Sequence, residues 1–301
     1  MSGDQPPRSR ADKTRAIEAQ PHSARRHGVF IVAAGFDAGQ VLVLTKDGMT
    51  TLGRAKECQF SFEDQSLSRE HAIVMRAGGA YILKDTSTNG TFVNEQRLTT
   101  VAELRDGDRV QLGTSTFLRF QFVDDQEEIA LRRVFEAAHL DGLTGVYNRK
   151  HLEERLTAEL AYATRHEEPL SIIIIDVDHF KKVNDTLGHL AGDAVLKHMS
   201  ALLKRLIRPE DILARYGGEE FVVIARGTDV AQAEVLAERL RAAVEAETIH
   251  FDGKDIKITS SGGVASLACC GESRDRATLL GTADKRLYAA KQGGRNRVVG
   301  P

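Results

Sequence analysis

With 301 residues, 42% of them hydrophobic and 28% charged, the chain is long enough for two soluble domains that each bury a core, and its net charge of -2 offers no global basic field for nucleic acid. No stretch of about 18 apolar residues occurs, so neither a membrane span nor a membrane partner is expected, and the polar first residues carry no secretory signal. The cysteines Cys58, Cys269 and Cys270 are odd in number and two are adjacent, which fits neither a disulfide framework nor a metal knuckle and points to a reducing cytoplasm.

Residues 1 to 28 lack aromatics, and basic residues outnumber acidic ones there, so they are predicted to form a flexible tail. From Val29 to Val123 short apolar runs such as "VFIVAA", "QVLVL" and "FLRFQFV" alternate with Gly, Asp and Asn turns. That spacing predicts a β-sandwich. Residues 124 to 140, "DDQEEIALRRVFEAAHL", lead with acidic residues and then repeat apolar ones at helical spacing, which predicts a helix. It either packs on its own domain or forms a stalk that pairs with its twin, and the pattern leaves both open. Beyond Asp141, helical and strand patterns alternate and predict an α/β domain. The helices are "RKHLEERLTAELAYATRHE", "AGDAVLKHMSALLKRLI", "VAQAEVLAERLRAAVEAE" and "RATLLGTADKRLYAAKQ". Between them lie a buried strand "LSIIIIDVD", a hairpin "ILARYGGEEFVVIA" and a strand around "IKITSSGGVAS".

Three separated pieces of the β region carry chemistry: Gly53-Arg54, "SLSREH" (Ser66 to His71) and "DTSTNGTFVN" (Asp85 to Asn94). In this order on a β-sandwich they resemble a forkhead-associated (FHA) domain, a module that binds phosphothreonine peptides. The resemblance implies that Arg54 and Ser68 hold the phosphate and that Arg69, Thr88 and Asn89 contact phosphate or peptide backbone. It gives Gly53, His71 and Gly90 a loop-shaping role. An arginine supplies forked, charge-assisted hydrogen bonds to phosphate, which suits that assignment. Thr14 is the tail's only threonine, preceded by Arg8, Arg10 and Lys13. It is a candidate phosphosite that would dock into the FHA site of its own or a partner chain, and an idle tail is the alternative.

In the second region "IIIIDVDHFKKVND" ends a buried strand with Asp176 and Asp178, and a period of two puts both on one face. Carboxylates at a strand end beside Glu219 and Glu220 of the hairpin make a site for a hard divalent cation. "NDTLGHLAGD" supplies Asn184 and Asp193 for the edge of a purine, and "KQGGRNR" supplies Lys291 and Arg295 for polyphosphate. The set "DGLTGVYNR", "DVDHFKKVND", "GHLAGD", "RYGGEEF" and "YAAKQGGRNR" resembles the GGDEF family of diguanylate cyclases over residues 139 to 299.

The family condenses two GTP into cyclic di-GMP and pyrophosphate on an α/β fold akin to nucleotide cyclase and polymerase palms. Glu219 stands third in the signature, a variant that active members use. The resemblance implies two Mg²⁺ ions (Mn²⁺ as a substitute) held by Asp176, the carbonyl of Val177, Glu219 and Glu220. Gly217 and Gly218 would let nucleotide lie against the backbone, and Asn184 and Asp193 would read guanine. Lys291 and Arg295 would grip the β- and γ-phosphates together with the amides of Phe180 and Lys181. "RPED" matches the family's inhibitory RxxD site for product, through Arg208 and Asp211, with Arg239 as a secondary arginine. Catalysis would need a homodimer, and a cytoplasmic bacterial enzyme is expected. A catalytically silent cyclic di-GMP receptor and a phosphothreonine scaffold are the alternatives.

The expected architecture is therefore multidomain: a tail (1–28), an all-β FHA sandwich (29–123), a short linking helix (124–140) and an α/β GGDEF domain (141–299).

Overall fold

The computed structural model of the chain describes residues 26–35, 37–271 and 273–301. Thr14 and most of the expected tail lie outside the described residues. At the tail's end the expectation shifts: the first strand begins at His27, two residues before the apolar run. His27 is buried, and its Nε2 lies 2.8 Å from the Glu128 carboxylate, so tertiary pairing recruits a residue whose own type gives no strand signal.

Among the described residues of the first region the strands are β1 (His27–Val32), β2 (Val41–Val43), β3 (Met49–Gly53), β4 (Phe60–Ser61), β5 (Ala72–Ala77), β6 (Ala80–Asp85), β7 (Thr91–Val93), β8 (Gln96–Arg97), β9 (Val101–Leu104), β10 (Arg109–Leu112) and β11 (Thr116–Val123). They form two sheets, ordered β2-β1-β11-β10-β7-β8 and β4-β3-β5-β6-β9. Alternation along β11 buries Thr116, Leu118 and Phe120, Val123 is buried on the opposite face with Val29 and Val41, and Phe120 packs edge-on against Phe30 with ring centroids 5.8 Å apart. The expected sandwich is present.

Helix α1 (Asp125–His139) is started by a capping box in which the Asp124 carboxylate accepts from the Glu127 amide and Glu127 returns the bond. Leu131 packs on the Val29, Val41 and Val123 cluster of the sandwich, whereas Ile129 and Val134 stay exposed. The linking helix thus leans on its own domain through Leu131 and leaves Ile129 and Val134 exposed. At its end Phe135 stacks on His139, and Tyr147 stacks on His151 with ring centroids 4.0 Å apart. Burial pushes His151 down to about 4, so it stays neutral.

The second region contains α2 (Arg149–His166), β12 (Leu170–Val177), α3 (Phe180–Leu187), α4 (His189–Leu206), β13 (Ile212–Arg215), β14 (Glu220–Arg226), α5 (Val230–Ala246), β15 (Ile249–Phe251), β16 (Lys254–Ile256), β17 (Ser260–Ser266), α6 (Arg276–Gln292) and β18 (Val298–Val299). Its main sheet is ordered β13-β14-β12-β17-β18. Every residue of β12 is buried, because helices cover both faces. On one face Ile173, Ile175 and Val223 meet α4 and α5; on the other Ile172, Ile174 and Val222 meet α2 and α6. Short α3 and the small β15–β16 hairpin are additions to the expected element list. No helix among the described residues is long and apolar enough to cross a membrane, and all three cysteines are free thiols.

Helix α6 approaches β17 through Gly263, where an added Cβ would collide with the carbonyl of Ala283 and the amide of Leu287. Backbone cannot yield as a flexible side chain can. We expect Gly263→Ala to cost about 2 kcal/mol in urea unfolding of the second domain; a variant as stable as the parent would refute this close approach.

Candidate functional site

The hairpin and the buried strand meet at their ends. Antiparallel pairing of β12 with β14 sets Asp176 opposite Glu220, and the amide of Val177 donates to the carbonyl of Glu219 at 3.3 Å. Asp176 is 3% exposed, and burial pushes its carboxyl above the usual range despite an ion pair with Lys291 at 2.8 Å. Burial and the charge of Asp176 push Glu219 and Glu220 upward as well. Gly217 sits close to Glu220, so that a Cβ there would stand 2.7 Å from Oε2 and the carboxylate would have to shift aside. Gly218 has open space beside it. A cleft of about 330 Å³ opens next to the hairpin, lined by Glu220, Asp284, Lys285, Leu287, Tyr288 and Lys291.

Among the described residues no three acidic, imidazole or thiol groups are already gathered around one point. The donor set nonetheless fits a hard cation. Three carboxylates with disfavoured charge share the field of Lys291, whose ammonium already takes a cation's place against Asp176.

Asp178 departs from expectation. It leaves the carboxylate face and is consumed by hydrogen bonds from Thr259 Oγ1 and Ser261 Oγ, each at 2.7 Å, and from the Asn296 amide at 3.0 Å. The strand ends at Val177, so the period of two no longer applies one residue later.

The other expected site residues divide between neighbouring elements. Asn184 on α3 and Asp193 on α4 lie on two helices that pack together. The Asn184 side chain lies directly over Gly192, where any Cβ would collide with its Oδ1. His179 enters α3 in the left-handed region, at φ 56°, and offers no side-chain cap, so the amides of Phe180 and Lys181 at the helix start receive none. Such an end favours anions. Lys291 ends α6, and Arg295 follows close enough for its charge to lower Asp176.

Arg208 and Asp211 form a tight turn before β13. The Asp211 carboxylate accepts from the Arg208 amide at 3.0 Å, and burial raises its pKa. The Arg208 side chain is exposed, and Arg239 on α5 donates to the carbonyl of Leu206 at 2.7 Å, which brings it to the same loop.

In the sandwich, the loops after β3, before β5 and after β6 converge. The Arg54 amide donates to the carbonyl of Ser68, and its Nε to that of Leu67 at 3.2 Å. Ser68 Oγ accepts from the Thr88 amide at 3.0 Å, and the Asn89 side chain donates to the Ser66 carbonyl at 2.7 Å. Arg69 is exposed beside them. His71 is fully buried, and burial lowers its pKa; its Nδ1 accepts from the Ser68 amide, and its Nε2 lies 3.1 Å from both the Gly90 carbonyl and the Gly113 amide. Gly53 is required by close approach, since a Cβ there would collide with the carbonyl of Arg69.

Several organising residues escaped sequence reasoning. Asp64 collects Ser66, Ser115 and Thr116, and Asp85 collects Ser87 and Thr91, fixing two loops of the sandwich. Arg215 bridges Asp141 at 3.1 Å and the Gly218 carbonyl at 2.6 Å, tying the first turn of the second region to the glycine turn. Arg97 lies against Gly90 with no expected motif around it. Asp64 and Asp85 are short polar side chains at turns, and Arg215 and Arg97 are arginines at the ends of short strands; both signals are too frequent to single them out. The two regions also touch: Lys56 pairs with Glu210 at 2.8 Å, and Glu63 pairs with Arg155 and Arg226.

Comparison with known proteins agrees with this geometry. The model of the family described as diguanylate cyclase, GGDEF domain, matches residues 138–297, and the FHA domain model matches residues 50–113. Diguanylate cyclase DgcP of Pseudomonas aeruginosa is 42% identical over 176 residues, covering 58% of this chain and 25% of that protein. Diguanylate cyclase A of Treponema denticola is 48% identical over 133 residues, covering 44% of this chain and 35% of that protein. The chain thus spans about a quarter to a third of the length of these curated relatives. The crystal structure of the coiled coil and GGDEF domain of DgcB from Caulobacter crescentus, in complex with c-di-GMP, aligns at TM-score 0.54 and 32% identity. It covers 59% of this chain and 93% of that one. The GGDEF domain of the same protein, also with c-di-GMP, aligns at TM-score 0.51 and 36% identity, covering 54% and 93%. With more than half of its length matched by that family model, and with the hairpin, the buried strand and the uncapped start of α3 arranged as described, the chain belongs to the diguanylate cyclase GGDEF-domain family.

Proposed function

We propose that the chain condenses two GTP into cyclic di-GMP and pyrophosphate, with residues 29–123 as a phosphopeptide-sensing module and residues 141–299 as the catalytic unit. The convergence of Asp176, Glu219 and Glu220 with Lys291 at one strand end carries this reading. Asp176, Glu219, Glu220 and the Val177 carbonyl would hold Mg²⁺, which when bound activates the 3′-hydroxyl and offsets charge on the phosphates. Lys291 would release Asp176 and move to phosphate, as Arg295 and the amides of Phe180 and Lys181 hold the rest of the chain of phosphates. Asn184 and the Asp193 carboxylate would read guanine, because a carboxylate accepts from guanine N1–H and N2–H₂ and finds no such pair on adenine. Gly217 and Gly218 leave room for the nucleotide. One domain offers one such set, so two copies must face each other, and α1, on which Ile129 and Val134 are exposed, is the element proposed to pair them.

Control is proposed at two sites. Arg54, Ser68, Arg69, Thr88 and Asn89 would take a phosphothreonine, with phosphorylated Thr14 as one source. Arg208, Asp211 and Arg239 would take product. Lys56 stands two residues from Arg54, and its partner Glu210 stands between Arg208 and Asp211. That contact supports a direct coupling of the two sites.

Three measurements test this. Incubation with GTP and Mg²⁺ should yield cyclic di-GMP from the wild type and none from Glu219→Ala; no product from the wild type, stripped of bound nucleotide, refutes the cyclase.

Stability supplies a second test. Carboxyls raised by burial and repulsion disfavour folding once ionised, so their penalty is complete above the raised pKa and absent below the ordinary carboxylate range. Glu219 is partly exposed and its charge is screened, so Glu219→Gln should raise the melting temperature without divalent cation by about 1–2 °C at neutral pH. That gain should vanish towards pH 4 and reverse when Mg²⁺ is added; a gain that persists in acid would contradict the assignment.

For control, a phospho-Thr14 peptide should bind the wild type and fail with Arg54→Ala. Lys56→Ala with Glu63→Ala should still bind the peptide yet lose any change in turnover that it causes. Turnover that responds as in the wild type would remove the coupling.

A further inference from the structure

The segment after α6 has an unusual backbone. Gly293 ends the helix at φ -70°, Gly294 turns at φ +111°, and then Arg295 and Asn296 both adopt the left-handed region, at φ 64° and 47°. Asparagine tolerates this region; an arginine does so only when its surroundings impose it. Two such residues in succession are therefore held, and what holds them can be named.

The Asn296 amide donates to Asp178 Oδ2 at 3.0 Å. Asn296 Oδ1 accepts from Arg241 Nη1 at 2.6 Å, and Nδ2 donates to Glu245 Oε1 at 2.7 Å. Arg241 is itself fixed by Glu238 and by Glu245, both on α5. Asp178 is 4% exposed and fully engaged, because it also takes the hydroxyls of Thr259 and Ser261. One residue further on, the Gly262 amide donates to the carbonyl of Arg297 at 2.9 Å, and Val298 pairs with Gly262 in the sheet. The strained turn is thus pinned from three sides: the end of β12, the start of β17 and the outer face of α5.

The pinned residue next to Asn296 is Arg295, whose charge reaches Asp176. Asn296, Arg241 and Glu245 carry no expected role in chemistry, and Asp178, expected on the carboxylate face, is engaged instead by Thr259, Ser261 and this turn. Strain that surroundings over-determine is a mark of functional placement. We propose that Asp178, Asn296, Arg241 and Glu245 form a brace whose task is to hold Arg295 against the polyphosphate of the bound nucleotide. They are positioning residues, and they act through Arg295 alone. The inference rests on the proposed binding of a guanosine triphosphate.

The test measures binding of inorganic tripolyphosphate and of GMP, each with Mg²⁺, to the full chain by calorimetry. Variants are Asn296→Ala, Glu245→Ala, Arg295→Ala and the double variant Asn296→Ala/Arg295→Ala, with melting curves to confirm folding. Glu245 is half exposed and serves if Asn296→Ala does not fold. We expect Asn296→Ala and Glu245→Ala to weaken tripolyphosphate by about tenfold, the loss of one charge-assisted contact, and to leave GMP within about twofold. The double variant should bind no worse than Arg295→Ala, because the brace has nothing left to position. Equal losses for tripolyphosphate and GMP, or losses that add fully in the double variant, would overturn the brace as a positioning device. Wild type that binds tripolyphosphate but no GMP would sink the guanine reading and leave the brace standing on its variants. Wild type that binds neither overturns both.

Discussion

Everything in the second domain is arranged around like charges at the end of a buried strand. Asp176 cannot reach bulk water, and Glu219 and Glu220 arrive beside it because β14 pairs with β12 in this register. Repulsion and desolvation disfavour all three charges. A shift of one residue in the pairing would send Glu220 to the opposite face. The register is fixed by apolar residues far from the chemistry: alternate positions of β12 and β14 must match two different helical layers, α4 and α5 on one side and α2 and α6 on the other. Core packing therefore sets the position of the charges, and the nearest relief, Lys291, comes from the end of a helix seated on the same sheet.

The cost of this arrangement is met by fixing everything near it. Arg215 ties the glycine turn to Asp141, Gly217 makes room for Glu220, and Gly192 makes room for Asn184. Gly263 lets α6 approach the sheet closely enough for Lys291 to reach Asp176. A site whose working parts are charges gains from such rigidity, because a preorganised charge needs no rearrangement when its ligand arrives.

The sandwich follows a different rule. Its strands form a scaffold, and its polar loops are bound to one another by short side chains: Asp64, Asp85, Ser68 and the buried His71. Arg54 and Arg69 are left exposed on these loops, and Arg97 is exposed on β8. Between the domains, α1 rests on the sandwich through Leu131, and the stacked rings of Phe135 with His139 and of Tyr147 with His151 occupy the joint. Salt bridges from Lys56 and Glu63 close the second contact.

Much of this was legible in the sequence, for local reasons. Helix α6 was readable to the residue because capping and apolar spacing agree, and the hairpin was readable because two β-prone runs flank two glycines. The chemistry-bearing types, Asp176, Glu219, Glu220, Lys291 and Arg295, were visible from their motifs. What sequence periodicity misjudged was Asp178: two residues beyond Asp176 it reads as a partner on the same face, yet the strand has ended and three donors claim it, Thr259 just before β17, Ser261 within it and the Asn296 amide after α6. The start of β1 at His27 was hidden likewise, because Glu128, which pairs with it, lies 101 residues away. The sequence by itself determined two domains, their fold classes and the residue types of both sites, since these follow from local pattern and composition. Only the tertiary structure decided which carboxylates share a face, what holds the turn at Asn296 and where the two domains touch, because each depends on strand register and on contacts between residues far apart in the chain.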